Sequence, residues 1–271
     1  MLRTACIRLD VKVEQSKQLS VLREVYADAC NRLVSVVCEH RIWNRVGLHN
    51  MVYRDLREHT PLGSQMCCNV IFSVCKAYKS QKERGHIHKA KAVPTIRFNG
   101  TSVHFDKKTY SLRDNSLSLY TLNGRIRVPM IIGEHQQRML SSGHPKEAEL
   151  VFRKGLWFFN LVVEITDTTM VVSEKTMGVD MGENNLAAHS LGKLFGGEQL
   201  RDERDRHLAL RRRLQSNGSQ SAKQKLRQVS GKEMRRVKQT NHETSKVIVA
   251  AAAEAGIGTI ILEDLTHIRS W

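Results

Sequence analysis

Thr176-Met177-Gly178-Val179-Asp180-Met181-Gly182 and, further on, Thr259-Ile260-Ile261-Leu262-Glu263-Asp264-Leu265 decide how this chain is read. Each is a short apolar run that ends on an acid. Short apolar runs bounded by glycine and polar residues predict buried strands, here over 177–179 and 259–263. Two further strands are expected at 186–189 and 193–195, with Gly182, Gly192 and Gly196-Gly197 at the turns. Helical patterning then predicts helices over 198–215 and 220–255. Gly256 is placed to end the second, because glycine adopts the left-handed conformation a helix terminus needs, and Gly258 leads into the last strand.

Strand, hairpin, helices and strand, with an acid on the first and last strand, is the layout of an α/β ribonuclease-H-like domain. In that layout the last strand lies beside the first, so Asp180 and Glu263 would meet at one end of the sheet. Paired carboxylates can hold divalent metal over a phosphodiester. Mg2+ suits them, with Mn2+ as its substitute, because a hard cation prefers oxygen ligands. Taken singly, Asp180 reads as a turn or cap residue and Glu263 as a charged strand end. Taken together, with what lies between them, they favour a catalytic metal site. Between positions 201 and 242 the chain carries 13 Lys/Arg against 4 Asp/Glu. Arg211, Arg212, Arg213, Lys223, Lys225, Arg227, Lys232, Arg235, Arg236 and Lys238 supply most of them. On helices these side chains would form a stripe able to track a phosphate backbone without reading sequence. The competing reading is a solvated helix face, which normally mixes signs.

Upstream, residues 5–13 alternate: Ala5, Ile7, Leu9, Val11 and Val13 on one side, Cys6, Arg8, Asp10 and Lys12 on the other. That is a half-buried strand. Amphipathic helices follow over 17–40 and 64–83. The second carries Lys76, Lys79 and Lys82 on its outer face, as a solvated surface or a nucleic-acid contact. From 93 to 165 short β-type runs recur at 95–98, 102–105, 116–121, 125–128, 149–153 and 156–165, several separated by turn pairs such as Asn123-Gly124 and Lys154-Gly155. An antiparallel barrel or sandwich is expected, with strand 5–13 joining it and the helices as an insertion. Trp157, Phe158 and Phe159 could stack bases, but a strand this apolar places them in a core. A polar linker is expected at 168–176.

The 271 residues carry a net charge of +16, which draws in polyanions, nucleic acid before membrane. No apolar stretch reaches the roughly 20 residues a membrane span needs. The N-terminus has no signal-peptide core. The six cysteines form no C-x-x-C pair, so no zinc site is expected, and a reducing cytoplasm is the expected location, nucleoid-associated when bound to DNA.

Gly178-Val179-Asp180-Met181-Gly182 is similar to the first phosphate loop of actin-like ATPases, but neither a second such loop nor an adenosine pocket is found. A longer set of motifs resembles the TnpB (OrfB) family, transposon-associated proteins related to type V CRISPR effectors. The set is G-V-D-M-G-E-N-N-L-A-A, L-F-G-G, L-R-R-R-L-Q, S-G-K-E-M-R-R-V-K-Q-T-N-H-E-T-S-K-V-I-V and I-I-L-E-D-L, in that order. The resemblance is specific over 177–267 and looser over 1–170. It implies an RNA-guided DNA endonuclease in two parts: over 1–170 a wedge-type β-barrel with a helical recognition insertion at about 16–90, and over 171–271 the N-terminal portion of a RuvC-like nuclease domain. It implies guide RNA and target DNA as partners, with Asp180 and Glu263 as the first two catalytic carboxylates. Asn241-His242 and Ser245-Lys246 match a motif on the long helix, where His242 reads as a packing or capping residue. The family's zinc ribbon and third catalytic Asp have no counterpart in these residues. The expectation is therefore nucleic-acid binding with weak or no cleavage. The alternative is a protein that occupies guided targets without cutting.

Overall fold

Alternating burial of Ala5, Ile7 and Leu9 along β1 (Leu2–Leu9) sets the centre of the N-terminal part of the molecule. The computed structural model describes residues 1–87, 92–166, 172–182 and 184–265. The chain divides into two compact units, Met1–Asp167 and Thr168–Trp271. Residues 168–171 of the expected linker lie outside the described residues.

β1 starts three residues before the expected strand and stops at Leu9, because helix α1 (Val13–His40) begins four residues later. Gln15 fixes that entry, its Oε1 accepting from the Lys12 N–H at 3.1 Å. Val13, expected inward, is 73% exposed. Leu19, Leu22, Tyr26, Cys30, Leu33 and Val37 form the buried stripe of α1. The sequence pattern misses α2 (Arg45–His59), capped by Asn44, whose side chain accepts from the Gly47 N–H at 2.7 Å. Its Leu48, Val52 and Leu56 recur at steps of four and are buried. α3 (Ser64–Glu83) matches the expected 64–83. It is tied to α1 through the buried Tyr26 hydroxyl, which donates to the Asn69 carbonyl at 2.7 Å. Lys76 approaches Glu147 and Glu149 at 3.8 and 3.7 Å, while Lys79 and Lys82 are exposed. Cys30, Cys67 and Cys75 are buried, and burial raises all three thiols. They behave as small core hydrophobes.

The strands that follow are β2 (Ser102–Phe105), β3 (Tyr110–Arg113), β4 (Ser116–Thr121), β5 (Gly124–Ile131), β6 (Gly143–Arg153) and β7 (Leu156–Ile165), with α4 (Glu134–Ser142) between β5 and β6. They form one seven-stranded sheet with β1, in the order β2-β6-β7-β1-β5-β4-β3. Every pairing in it is antiparallel. Strand β1 thus joins the sheet as expected, and the three helices α1 to α3 are inserted after it. Residues 95–98 are not a strand. Asn31 satisfies that backbone instead: its side chain both donates to the Phe98 carbonyl and accepts from the Phe98 N–H, each at 2.8 Å. Strand β3 and helix α4 have no counterpart in the sequence reading.

His104 of β2 is buried, with its ring 4.6 Å from that of Phe72. Burial, then the Lys76 charge, then Arg45, holds its imidazole down to about 4, against the upward pull of Asp106. An unfolded His104 takes up a proton below its ordinary pKa of 6.5 and the folded one does not until about 4. Stability therefore falls as pH drops through that window, by on the order of 2 kcal/mol at pH 5 relative to pH 7. Urea unfolding at the two pH values should show the loss, and His104→Leu should remove it. A pH dependence unchanged in His104→Leu would assign the slope elsewhere.

The C-terminal unit contains β8 (Thr176–Asp180), β9 (Asn185–His189), β10 (Lys193–Gly196), α5 (Glu198–Asn217), α6 (Gln220–Val229), α7 (Lys232–Glu254) and β11 (Thr259–Leu262). Its four-stranded sheet has the order β10-β9-β8-β11. The expected single helix over 220–255 is two, α6 and α7, interrupted at Ser230-Gly231. Gly256 ends α7 in the left-handed region at φ 65°, and the Ile257 N–H closes the terminus on the Ala252 carbonyl at 2.9 Å. Met177, Val179, Ala187, Ile248, Ala252 and Ile257 form the unit's core, between one face of the sheet and α7. Among the described residues no helix is long and apolar enough to cross a membrane.

Candidate metal centre and nucleic-acid interface

Burial alternates along β8: Met177 and Val179 face the core, Gly178 and Asp180 the other side. β11 runs parallel to β8 in the register Thr259↔Thr176 through Leu262↔Val179. Glu263 follows directly on β11, one residue past the last pair, as Asp180 follows Val179 at the end of β8. Both are exposed. They border an open groove of about 550 Å³ with Gly178, Ala188, Ser190 and Ile261. The structure thus brings together the two acids that the sequence singles out. Among the described residues, no group of three or more His, Cys, Asp or Glu side chains is placed to hold a metal ion. The oxygen chemistry of the two carboxylates fits a hard divalent cation.

Strand parity puts a third residue near them but on the opposite face. His189 pairs with Val179 and is 7% exposed. Neither of its ring nitrogens has a hydrogen-bond partner among the described residues, and its ring lies 6.0 Å from that of Phe195. An imidazole in an apolar core has no periodicity signature, so only the fold reveals it. His242 on α7 is exposed rather than packed.

The basic residues divide. Arg236 Nε and Nη2 hold both oxygens of Glu203 at 2.9 and 3.3 Å, and Arg211 lies 3.6 Å from Glu233. These two pairs tie α5 to α7. Arg212, Arg213, Lys223, Lys225, Arg227, Lys232, Arg235 and Lys238 are exposed and form no ion pair among the described residues. They are carried by three helices, α5, α6 and α7. Beside them is a cleft of about 380 Å³, lined by Arg201, Arg204 and His207 of α5 together with Arg236, Gly182 and Leu200. Arg201 also anchors the loop after β8, donating to Asn184 Oδ1 at 2.9 Å. The i, i+3, i+6 spacing of Arg201, Arg204 and His207 is the signal that could have found this cleft.

Residues 160–269 match the OrfB_IS605 family model, described as a probable transposase. No curated protein matches the chain. Among solved structures, a chain from the cryo-EM structure of the Cas12f1-sgRNA-target DNA complex is similar, with a TM-score of 0.56 and 12% identity over 95% of this chain and 66% of that one. At that identity the likeness is one of fold, and the chain spans slightly less than two thirds of its length. The matched residues 160–269 include Asp180, the basic helices and β11.

Proposed function

We propose that this protein is a TnpB-like, RNA-guided DNA-binding protein built for metal-dependent phosphodiester hydrolysis. In this reading residues 171–271 are RuvC-like, and 1–170 are a wedge-type barrel with a helical recognition insertion. The observation that carries the proposal is the parallel β8–β11 pairing, with Asp180 and Glu263 bordering one groove at its end. The basic residues of α5 to α7 on the same unit and the fold shared with a guided nuclease complex support it. Asp180 and Glu263 would hold Mg2+, or Mn2+ in its place. When bound, such an ion activates water and offsets charge on the leaving oxygen. The chain's own residues do the rest. The two carboxylates would hold the ion, and the cations of the three helices that form no ion pair among the described residues would hold a phosphate backbone.

A second reading has an observation in its favour. Only two carboxylates converge among the described residues, and two oxygen donors bind Mg2+ weakly. The expected behaviour is guided DNA binding with slow or absent cleavage. The test is to purify the chain with a guide RNA and present complementary and non-complementary DNA in Mg2+. Retention of complementary DNA alone, with little cutting, is expected. Efficient cutting that disappears in Asp180→Ala would show that two carboxylates suffice. Failure to retain complementary DNA would end the guided reading.

A further inference from the structure

The excess positive charge of this protein is not where the basic helices draw the eye. Residues 1–167 hold 26 Lys/Arg against 15 Asp/Glu, a net +11, whereas 168–271 hold 17 against 12, a net +5. Within the N-terminal unit one cation stands apart. Arg23 of α1 is half-buried, and its guanidinium lies 5.0 Å over the Phe152 ring and 5.8 Å over the Trp157 ring. Those rings are themselves 4.7 Å apart, a cross-strand pair at the end of the β6–β7 hairpin. Trp157 is fixed in turn by its indole N–H, which donates to Ser16 Oγ at 2.9 Å.

No described residue accepts a hydrogen bond from Arg23 or pairs with its charge. Its Nε is buried without a partner. Its two terminal nitrogens are neither bonded nor buried, so they reach solvent. Glu24 and Asp28 on the same helix are exposed and leave it unpaired. The turn beside the platform adds Arg153 and Lys154, both exposed and unpaired, and Arg153 lies 4.8 Å over the ring of Phe158 on the hairpin's other face. A guanidinium packed against two aromatic rings has already lost much of its rotamer freedom, so its outward fork binds a planar or tetrahedral oxyanion at reduced entropic cost.

We propose that Arg23, on its Phe152–Trp157 platform, is a phosphate contact for a nucleic-acid strand, with Arg153 and Lys154 at the hairpin tip extending the same track. The proposal rests on the nucleic-acid reading above, and assigns to the N-terminal unit a contact that the basic helices of the C-terminal unit do not provide. Interleaved cations and rings at one hairpin end suit a backbone with bases attached better than a free anion.

The test is anisotropy of a labelled single-stranded RNA titrated with the whole chain across a series of KCl concentrations, with melting followed by circular dichroism. Arg23→Met keeps the apolar stem over the rings and removes the charge. It should weaken binding about tenfold and reduce the slope of log affinity against log salt by about 0.7, the loss of one phosphate contact. Arg23→Lys keeps the charge without the fork, and should weaken binding several-fold with the slope retained. If Arg23→Met does not fold, the Arg23→Lys result decides. Unchanged affinity in the folded variants overturns the proposal, as does polyglutamate competing as well as RNA. A wild-type chain that binds no RNA removes the nucleic-acid reading itself, a different failure from wild-type binding that Arg23 does not affect.

Discussion

Gly258→Val will separate Glu263 from Asp180. A Cβ at Gly258 would fall inside contact distance of the Ser173 carbonyl oxygen and 3.0 Å from the Ser173 N. Both are backbone atoms and cannot swing away. The same glycine directly precedes β11, its N–H bonded to the Lys175 carbonyl at 3.1 Å. The strand must therefore shift, and with it the register that places Glu263. Overpacking of this kind costs about 1–3 kcal/mol. The functional effect is larger than the stability effect, because divalent binding depends on both carboxylates at once. Mn2+ binding followed by electron paramagnetic resonance should weaken at least about tenfold, to the level of Glu263→Gln. Gly256→Ala is the contrast. It too is strained, at φ 65°, but a Cβ there meets open space. It should cost roughly 1–2 kcal/mol and leave Mn2+ binding intact. Wild-type Mn2+ affinity in a folded Gly258→Val variant would mean that β11 does not set the site.

Phe159→Ala should be the most destabilising single truncation in the N-terminal unit. Phe159 is fully buried, packs edge-on against Tyr110 at 5.3 Å and Phe105 at 6.0 Å, and pairs across the sheet with Ile7 and Leu150. Removing a ring so enclosed leaves a cavity and costs about 3–5 kcal/mol. Its neighbour Phe158 points to the other face and is half-buried beneath Arg153. Phe158→Ala should cost about 1 kcal/mol. Urea unfolding of the two variants checks the difference, and similar losses would contradict the strand parity. The same parity settles what Trp157-Phe158-Phe159 can do. Trp157 and Phe159 belong to the core, and the half-buried ring of Phe158 lies beneath Arg153.

The acids, the strands that hold them and the helix pattern of α1 and α3 are legible in the sequence because each is a local property. An apolar run bounded by glycine, or a stripe at steps of three and four, exists before the chain folds. Asp180 and Glu263 stand out for the same reason: both are acids at the ends of such runs. α2 was missed because its buried face is three residues wide. The strand expected at 95–98 fails because Asn31, distant in sequence, satisfies its backbone. The helix expected over 220–255 divides at a glycine whose helix-breaking preference the surrounding pattern hides.

Charge pairing and register belong to the tertiary structure alone. No pattern shows that Arg211 and Arg236 are committed to Glu233 and Glu203 while Arg212 and Arg213 are not, because a side chain's partner depends on which helices are brought side by side. Nor does the sequence show that Arg23 sits without a counter-charge on two rings more than a hundred positions away. The chain by itself determined which residues could do chemistry. The fold decided which of them meet, because carboxylates far apart in the chain act together only when a parallel strand pairing holds them within reach of one ion.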